Sequence, residues 1–180
     1  MTTRIETEHY IIRDVNFPDY EYFAKWEVDP DMTKYFALDK DRTYEDVVTE
    51  GFAYKEDKSV IDLTITDKKD GSPLGRVIIS RIEPHYKSLD ITKVYVGGDR
   101  RGQGVGSETL QGLLKYFFEE CGMQRVTLDY FTGNTKARDL YRRLGFVDEG
   151  VARNACSKDG IYYDLNLMSI LRDEYFDKFC

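Results

Sequence analysis

Five of the ten residues at positions 97–106 are glycine, and they stand between two segments of different periodicity. Upstream, residues 89–96 read as a strand. Downstream, Val105, Leu110, Leu113, Leu114, Phe117, Phe118 and Cys121 recur at spacings of three and four, the pattern of an amphipathic helix. A strand that passes through a glycine-rich turn into a helix leaves backbone N–H groups converging at the helix start, where the dipole favours an anion. Glycine lets an anionic group approach the backbone with no Cβ in the way, and Arg100 and Arg101 add positive charge. A phosphate or pyrophosphate ligand is expected, although turn conformation alone accounts for the glycines equally well. Two familiar loops are not matched. Gly97-x4-Gly102 is followed by Gln103 and Gly104 rather than Lys and Ser or Thr. In Gly102-Gln103-Gly104-Val105-Gly106 the third glycine comes one residue early for a dinucleotide fingerprint.

The flanking segments supply the rest of the architecture. Residues 7–13, with the run Tyr10-Ile11-Ile12, read as an edge strand. Residues 19–28 carry Tyr20, Phe23, Ala24 and Glu27 at helical spacing. Thr43 has the character of an N-cap, with Asp46 three residues on and Val47, Val48, Phe52 and Ala53 continuing a helical face. The stretch 29–42 between them reads as an irregular link. From residue 59 the period falls to two. Residues 59–66, 74–82 and 89–96 read as an antiparallel meander whose first turn is centred on Asp70-Gly71. After the long helix, Gly122 is placed as its stop. Residues 125–131 follow as a strand, and residues 135–144 as a short helix with Ala137, Leu140, Tyr141 and Leu144 on one face, ended by Gly145. Residues 146–153 and 161–171 close the chain as strands around a turn at 157–160. Residues 89–131 therefore form a strand–helix–strand unit with parallel strands and a right-handed crossover. The expected fold is α/β (α+β): a mixed, mostly antiparallel sheet with a central parallel strand pair, flanked by helices.

At 180 residues the chain is expected to be one domain, 1–180, long enough to bury a core. Its 26 Lys+Arg against 33 Asp+Glu leave a net charge of -7, which disfavours nucleic acid as a ligand and favours cationic partners. Cys121, Cys156 and Cys180 are odd in number and widely spaced, so no disulfide framework is visible. His9 and His85 are isolated, so no metal site is expected. The first eight residues include two glutamates and no apolar segment, unlike a leader peptide. No run approaches the ~20 apolar residues that span a bilayer. A cytoplasmic protein without a membrane partner is expected.

Two strings, each in its strand–turn–helix context, resemble the signatures of the GNAT superfamily of acetyl-CoA-dependent N-acetyltransferases. The first is Arg101-x-x-Gly104-x-Gly106. The second is Asn134-x-x-Ala137-x-x-Leu140-Tyr141-x-x-Leu144-Gly145-Phe146. The resemblance is closest over residues 74–175. The ending Met168-Ser169-Ile170-Leu171-Arg172-Asp173-Glu174-Tyr175 is similar to the branch that includes ribosomal-protein N-terminal and spermidine acetyltransferases. Residues 1–58 match in general layout only. The resemblance implies acetyl-CoA as cofactor, with coenzyme A as product. It puts the pyrophosphate on the backbone amides of Arg101, Gly102, Gln103, Gly104, Val105, Gly106 and Ser107. It also implies that the pantetheine arm runs beside Val94, Tyr95 and Val96, where that strand splays from the next, and that an amide there polarises the thioester carbonyl. Asn134, an N-cap by its own sequence position, is implied to meet the cofactor arm as well. Lys136, Arg142 and Arg143 are placed to reach the 3′-phosphate, with Arg143 taken as the binding residue. All three also read as a solvated basic face.

For the chemistry, the resemblance implies Tyr141 as general acid toward the departing thiolate. By pattern alone it is a tyrosine on a buried helix face. Asp129 corresponds to a carboxylate that some members use as base, with Asp90 a second candidate, and both also read as ordinary sheet residues. Cys121 reads as helix packing, and Cys156 lacks a sequence-adjacent His for nucleophilic work. The acceptor pocket is assigned to the first helices, their link and the final hairpin. Tyr35, Phe36, Tyr44, Tyr54, Tyr162 and Tyr163 are its expected aromatic walls. Asp29, Asp31, Asp39, Glu45, Glu50 and Glu56 are the acids available to attract a cation. The expected function is transfer of acetyl from acetyl-CoA to a primary amine by direct attack in a ternary complex, on a small cationic amine or polyamine. The alternatives are a protein α-amino group and a catalytically silent acyl-CoA-binding module. Members of the family are often homodimers.

Overall fold

The computed structural model describes residues 3–180, Asp99 through its backbone alone. Met1 and Thr2, the start of the stretch read above as no leader, lie outside the described residues. A hairpin of β1 (Arg4–Glu6) and β2 (Tyr10–Asp14) opens the chain. Then come α1 (Asp19–Trp26), the single turn α2 (Pro30–Thr33) and α3 (Tyr44–Glu56), and next β3 (Ile61–Asp67), β4 (Pro73–Glu83) and β5 (Ser88–Val96). The remainder is α4 (Val105–Lys115), β6 (Arg125–Phe131), α5 (Thr135–Arg143), β7 (Val147–Lys158), β8 (Ile161–Leu171) and α6 (Arg172–Phe179). The strands form one sheet in the order β1-β2-β3-β4-β5-β6-β8-β7. Among the described residues only β5 and β6 pair in parallel. No described helix is long and apolar enough to cross a membrane.

Local chemistry accounts for the element ends. Thr43 accepts from the Asp46 N–H at 3.2 Å while the Asp46 carboxylate accepts from the Thr43 N–H at 2.8 Å, closing the capping box at α3. Residues 7–13 are not an edge strand. Thr7 exchanges backbone and hydroxyl hydrogen bonds with Tyr10, closing a turn, and the edge falls to β1. β7 runs past residue 153 to Lys158 through an irregularity at Asn154, which has φ +51° and donates its N–H to Asp164. The sequence reading missed α6 altogether. It is held by Tyr175, which is buried, stacks on Phe118 at 5.0 Å and donates to Glu119 at 2.7 Å.

The sheet carries a core on each face. On one, Ile12, Leu63, Ile65, Val77, Ile79, Leu89 and Ile91 meet Leu110, Leu113, Leu114 and Phe118 of the α4 side. On the other, Tyr20, Phe23, Trp26 and Val47 of α1 and α3 meet Tyr95. The register of β4 on β5 shifts at Ile78/Ile79, so that Ile78 faces Lys93 and Ile79 faces Ile91, leaving Thr92 as a bulge. An extra residue reverses the alternation of a strand. Leu89 and Ile91 lie on the α4 face, and so do Val94 and Val96, whereas Tyr95 is turned to the α1–α3 face.

Gly97 ends β5 directly beneath Trp26. A Cβ there would lie 2.1 Å from the indole ring. Gly97→Ala is therefore expected to lower stability by ~1–3 kcal/mol through overpacking, read as the shift in urea midpoint at constant slope.

Candidate active site

The glycine turn leaves α4 with a bare N-terminus. Gly104 is its N-cap at φ +87°, and no side chain caps the helix. Gly102 is also left-handed at φ +79°, and an added Cβ at either glycine would meet nothing within 4 Å. The helix start thus lacks a side-chain cap and is preceded by a left-handed backbone that only glycine holds without strain, with no neighbour crowding the two glycines, as an anion cradle requires. Val105 is buried in the main core, so its contribution to a ligand is its N–H. Arg101 is tethered to Asp29 at 2.8 Å and to the Gly98 carbonyl at 3.3 Å, and Arg100 is paired with Asp67. Both guanidiniums thus line the turn already partnered. These features fit a pyrophosphate held through backbone amides rather than by a free basic clamp.

From this turn the strand leads down to a fork. β5 and β6 pair only from Ser88↔Arg125 to Asp90↔Thr127, although both strands continue. Asp90 pins the point of divergence by accepting from Thr127 at 2.6 Å and from the bulged Thr92 at 2.9 Å. It is buried and thereby occupied as a structural acceptor. Beyond it, backbone groups of β5 that would have bonded to β6 are released on that side. The fork leaves a slot beside β5 and unbonded backbone groups along it, which fit the pantetheine arm that the resemblance implies. Val94 and Val96 are partly buried at the slot. The Tyr95 side chain points away, donating to Glu27 at 2.8 Å, so that residue can serve only through its backbone.

A cavity of about 310 Å³ opens at the fork, lined by Thr92 and Lys93 of β5, Asp129 to Phe131 of β6, Asn134 and Tyr141. Tyr35, Phe36, Asp39, Arg42 and Glu50 close it from the α1–α3 side. Tyr141 packs at 5.8 Å from Tyr130 and 5.9 Å from Phe146. Burial, reinforced by the charge of Asp129, pushes its hydroxyl up to about 12, and it makes no hydrogen bond among the described residues. The phenol thus keeps its proton and has no acceptor of its own. Asp129 is raised above the usual carboxylate range, first by burial and then by Asp90, with Arg81 opposing. Asn134 accepts from the Ala137 N–H at 3.2 Å, so the cap is formed at a residue that also lines the cavity. Arg142 is paired with Asp148 at 2.6 Å, whereas Arg143 and Lys136 are exposed and form no ion pair among the described residues.

Of the expected aromatic walls, Tyr35 and Phe36 line the cavity and Tyr163 stacks on its Phe131 at 4.9 Å. Tyr44 and Tyr162 stand exposed outside it, and Tyr54 borders a separate cavity at the opposite end of β5. Cys156 does line the site, but burial raises its thiol above the ordinary value, so it is not a poised nucleophile. Sequence reasoning missed the charge cluster behind the cavity. Arg76 is fully buried and donates to both oxygens of Asp62 at 2.8 and 2.9 Å, to Glu27 at 2.9 Å and to Glu50 at 3.2 Å. Arg42 meets Glu27 at 2.7 Å and Glu50 at 2.6 Å. A lone Arg in a strand that otherwise reads as apolar, Leu74-Gly75-Arg76-Val77-Ile78-Ile79, was the available signal.

Residues 10–146 match the family model for the Acetyltransferase (GNAT) family. The chain is 27% identical over 105 residues to the ribosomal-protein-serine acetyltransferase of Escherichia coli, covering 58% of each protein. It is 26% identical over 105 residues to the spermidine N(1)-acetyltransferase of Vibrio cholerae, covering 58% of this chain and 60% of that one. Both matches thus span about three-fifths of those relatives' own length. Among solved structures, spermidine N-acetyltransferase from Vibrio cholerae in complex with CoA and spermine superposes with a TM-score of 0.83 at 19% identity, over 93% of this chain and 98% of that one. The uncapped helix start, the forked strands and the match over most of its length agree: the chain belongs to the GNAT family of acetyltransferases, enzymes that use acetyl-CoA as acetyl donor.

Proposed function

We propose that residues 1–180 act as one acetyltransferase domain that acetylates the primary amine of a small cationic acceptor, polyamines included, by direct attack in a ternary complex. Acetyl-CoA, when bound, supplies an activated thioester. The chain's residues do the rest. Amides at the start of α4 hold the pyrophosphate, Arg143 at the end of α5 meets the outlying phosphate, and a released amide of β5 faces the thioester carbonyl. Asp129 takes the proton from the entering ammonium, and Tyr141 donates to the departing sulfur.

The observation that carries the acceptor class is the approach to the site. A second cavity of about 750 Å³ shares Asp39, Arg42 and Glu50 with the inner one. It is lined by six carboxylates (Asp39, Asp41, Glu45, Asp46, Glu50 and Asp159) against two cations, Lys40 and Arg42. A vestibule of that charge concentrates cations and steers them inward. The relatives that act on spermidine support the same reading. The relative named for ribosomal protein favours the second reading, a protein α-amino group. CoA release with a panel of small amines against basic-tailed peptides tests the choice; turnover with peptides alone would sink the small-acceptor reading.

Asp129 supplies a pH signature. Because its carboxyl is held above the usual range, its basic form is lost as pH falls through that raised value. Activity should fall on the acid side accordingly. Asp129→Asn is expected to lower kcat/KM by ~10²-fold and to flatten that limb; an unchanged profile would remove Asp129 as the base.

A further inference from the structure

Lys93 is the cation the buried cluster leaves over. Three carboxylates, Glu27, Glu50 and Asp62, balance three cations, Arg76, Arg42 and Lys93. Other groups engage the carboxylate oxygens more closely than Lys93 does, the far oxygen of Glu27 meeting Arg42 Nε at 2.7 Å as an ion-pair contact without a hydrogen bond. Asp62 binds Arg76 through both oxygens, Glu50 is shared by the two arginines, and Glu27 is in contact with Arg76, Arg42 and the Tyr95 hydroxyl. The nearest approach of the Lys93 ammonium to a carboxylate is 3.9 Å, to Glu27, beyond hydrogen-bond distance. Among the described residues it donates no hydrogen bond. Its side chain is only 12% exposed, and the residue lines the inner cavity. A nearly buried ammonium with three unused donors requires an oxygen from outside the chain. The Thr92 bulge is what directs it there. With strict alternation Lys93 would share the α4 face with Leu89 and Ile91.

The same cavity holds an acceptor without a donor. The Asp129 carboxylate receives no hydrogen bond among the described residues. An unused carboxylate and an unused ammonium lining one 310 Å³ cavity are complementary to a ligand that carries an ammonium and an anionic oxygen group close together.

Resting on the proposed acetyl transfer and narrowing its acceptor, we propose that Lys93 is a specificity residue that binds a carboxylate beside the reactive amine, so that the preferred acceptor is an α-amino acid with a cationic tail. Its amine meets Asp129, its carboxylate meets Lys93, and its tail lies in the acidic vestibule. A plain polyamine satisfies the vestibule and Asp129 and leaves Lys93 unpartnered.

Arginine and agmatine test this, because they differ only by a carboxylate next to a single primary amine. Spermidine and lysine extend the series. With the full chain and acetyl-CoA, kcat/KM for arginine should exceed that for agmatine by ~10–100-fold, the worth of one charge-assisted hydrogen bond in a desolvated site. Lys93→Met should lower kcat/KM for arginine more than for agmatine, bringing the arginine-to-agmatine ratio down to about one. The wild-type comparison needs no variant, so a poorly folding Lys93→Met leaves the test intact. Agmatine or spermidine outperforming the amino acids, or Lys93→Met lowering both members of the pair alike, would overturn the assignment while leaving the acetyltransferase reading in place. Bound acetyl-CoA with no turnover on any amine would overturn both.

Discussion

Tyr141→Phe should leave acetyl-CoA binding nearly unchanged and lower kcat by ~10²-fold, the lower end of what a positioned acid contributes. The lower end is expected because burial has pushed this phenol up to about 12. Such a group is a weaker acid than one matched to neutral pH, but it holds its proton throughout the working range. Its service is to present a hydrogen to the sulfur as negative charge develops there. The change removes one oxygen from a ring held between Tyr130 and Phe146, so the packing persists and the melting temperature should barely move. Single-turnover acetylation of an amine separates the chemical step from binding. A decrease of less than about threefold there would reassign Tyr141 to structure.

Arg76→Ala is the other large effect, and it falls on stability. The guanidinium is fully buried, lies over the Phe23 ring at 4.7 Å and meets three carboxylates, two of them themselves buried. Removing one member of a buried ion network leaves the others charged and desolvated, which costs ~3–5 kcal/mol. Burial raises Asp62 even with Arg76 beside it. Without that partner the carboxyl would rise further and take up a proton, which relieves part of the cost. Urea unfolding measures the difference. A loss below ~1 kcal/mol would mean that water enters and solvates the cluster. Activity should fall too, because Glu50 and Arg42 of that cluster form a wall of the acceptor cavity.

The two predictions fall on opposite sides of what could be read in advance. Tyr141 was visible because it belongs to a contiguous string on one helix, Leu140-Tyr141-x-x-Leu144-Gly145-Phe146. Helical spacing put it on the inner face, and the resemblance supplied a role. The cavity then added what spacing lacks: an unpartnered hydroxyl beside Asp129. Arg76 was passed over because its strand neighbours are apolar and its three acidic partners come from the C-cap of α1, from α3 and from β3. No local pattern brings together residues 27, 50, 62 and 76. Arg100 and Arg101 show the converse. As residues at a glycine turn they read as added positive charge for an anion, and the folded chain pairs them with Asp67 and Asp29.

By itself, the sequence determined the features that depend on neighbours a few residues apart. These include the capping box at Thr43, the Asp70-Gly71 turn, the glycine-rich passage from strand to helix, and the amphipathic faces of α4 and α5. These signals also ordered the strands well enough to imply the parallel pair. Only the tertiary structure decided the acceptor site. The Thr92 bulge reverses the facing of β5, an effect that alternation read from sequence cannot register because it assumes an unbroken count of two. Lys93 is left over because the near oxygen of Glu27, far away in the chain, already accepts from Arg76 and the Tyr95 hydroxyl. Hydrogen-bonding capacity is finite, and which donor goes without is settled only when all competing donors have been folded around the same carboxylate.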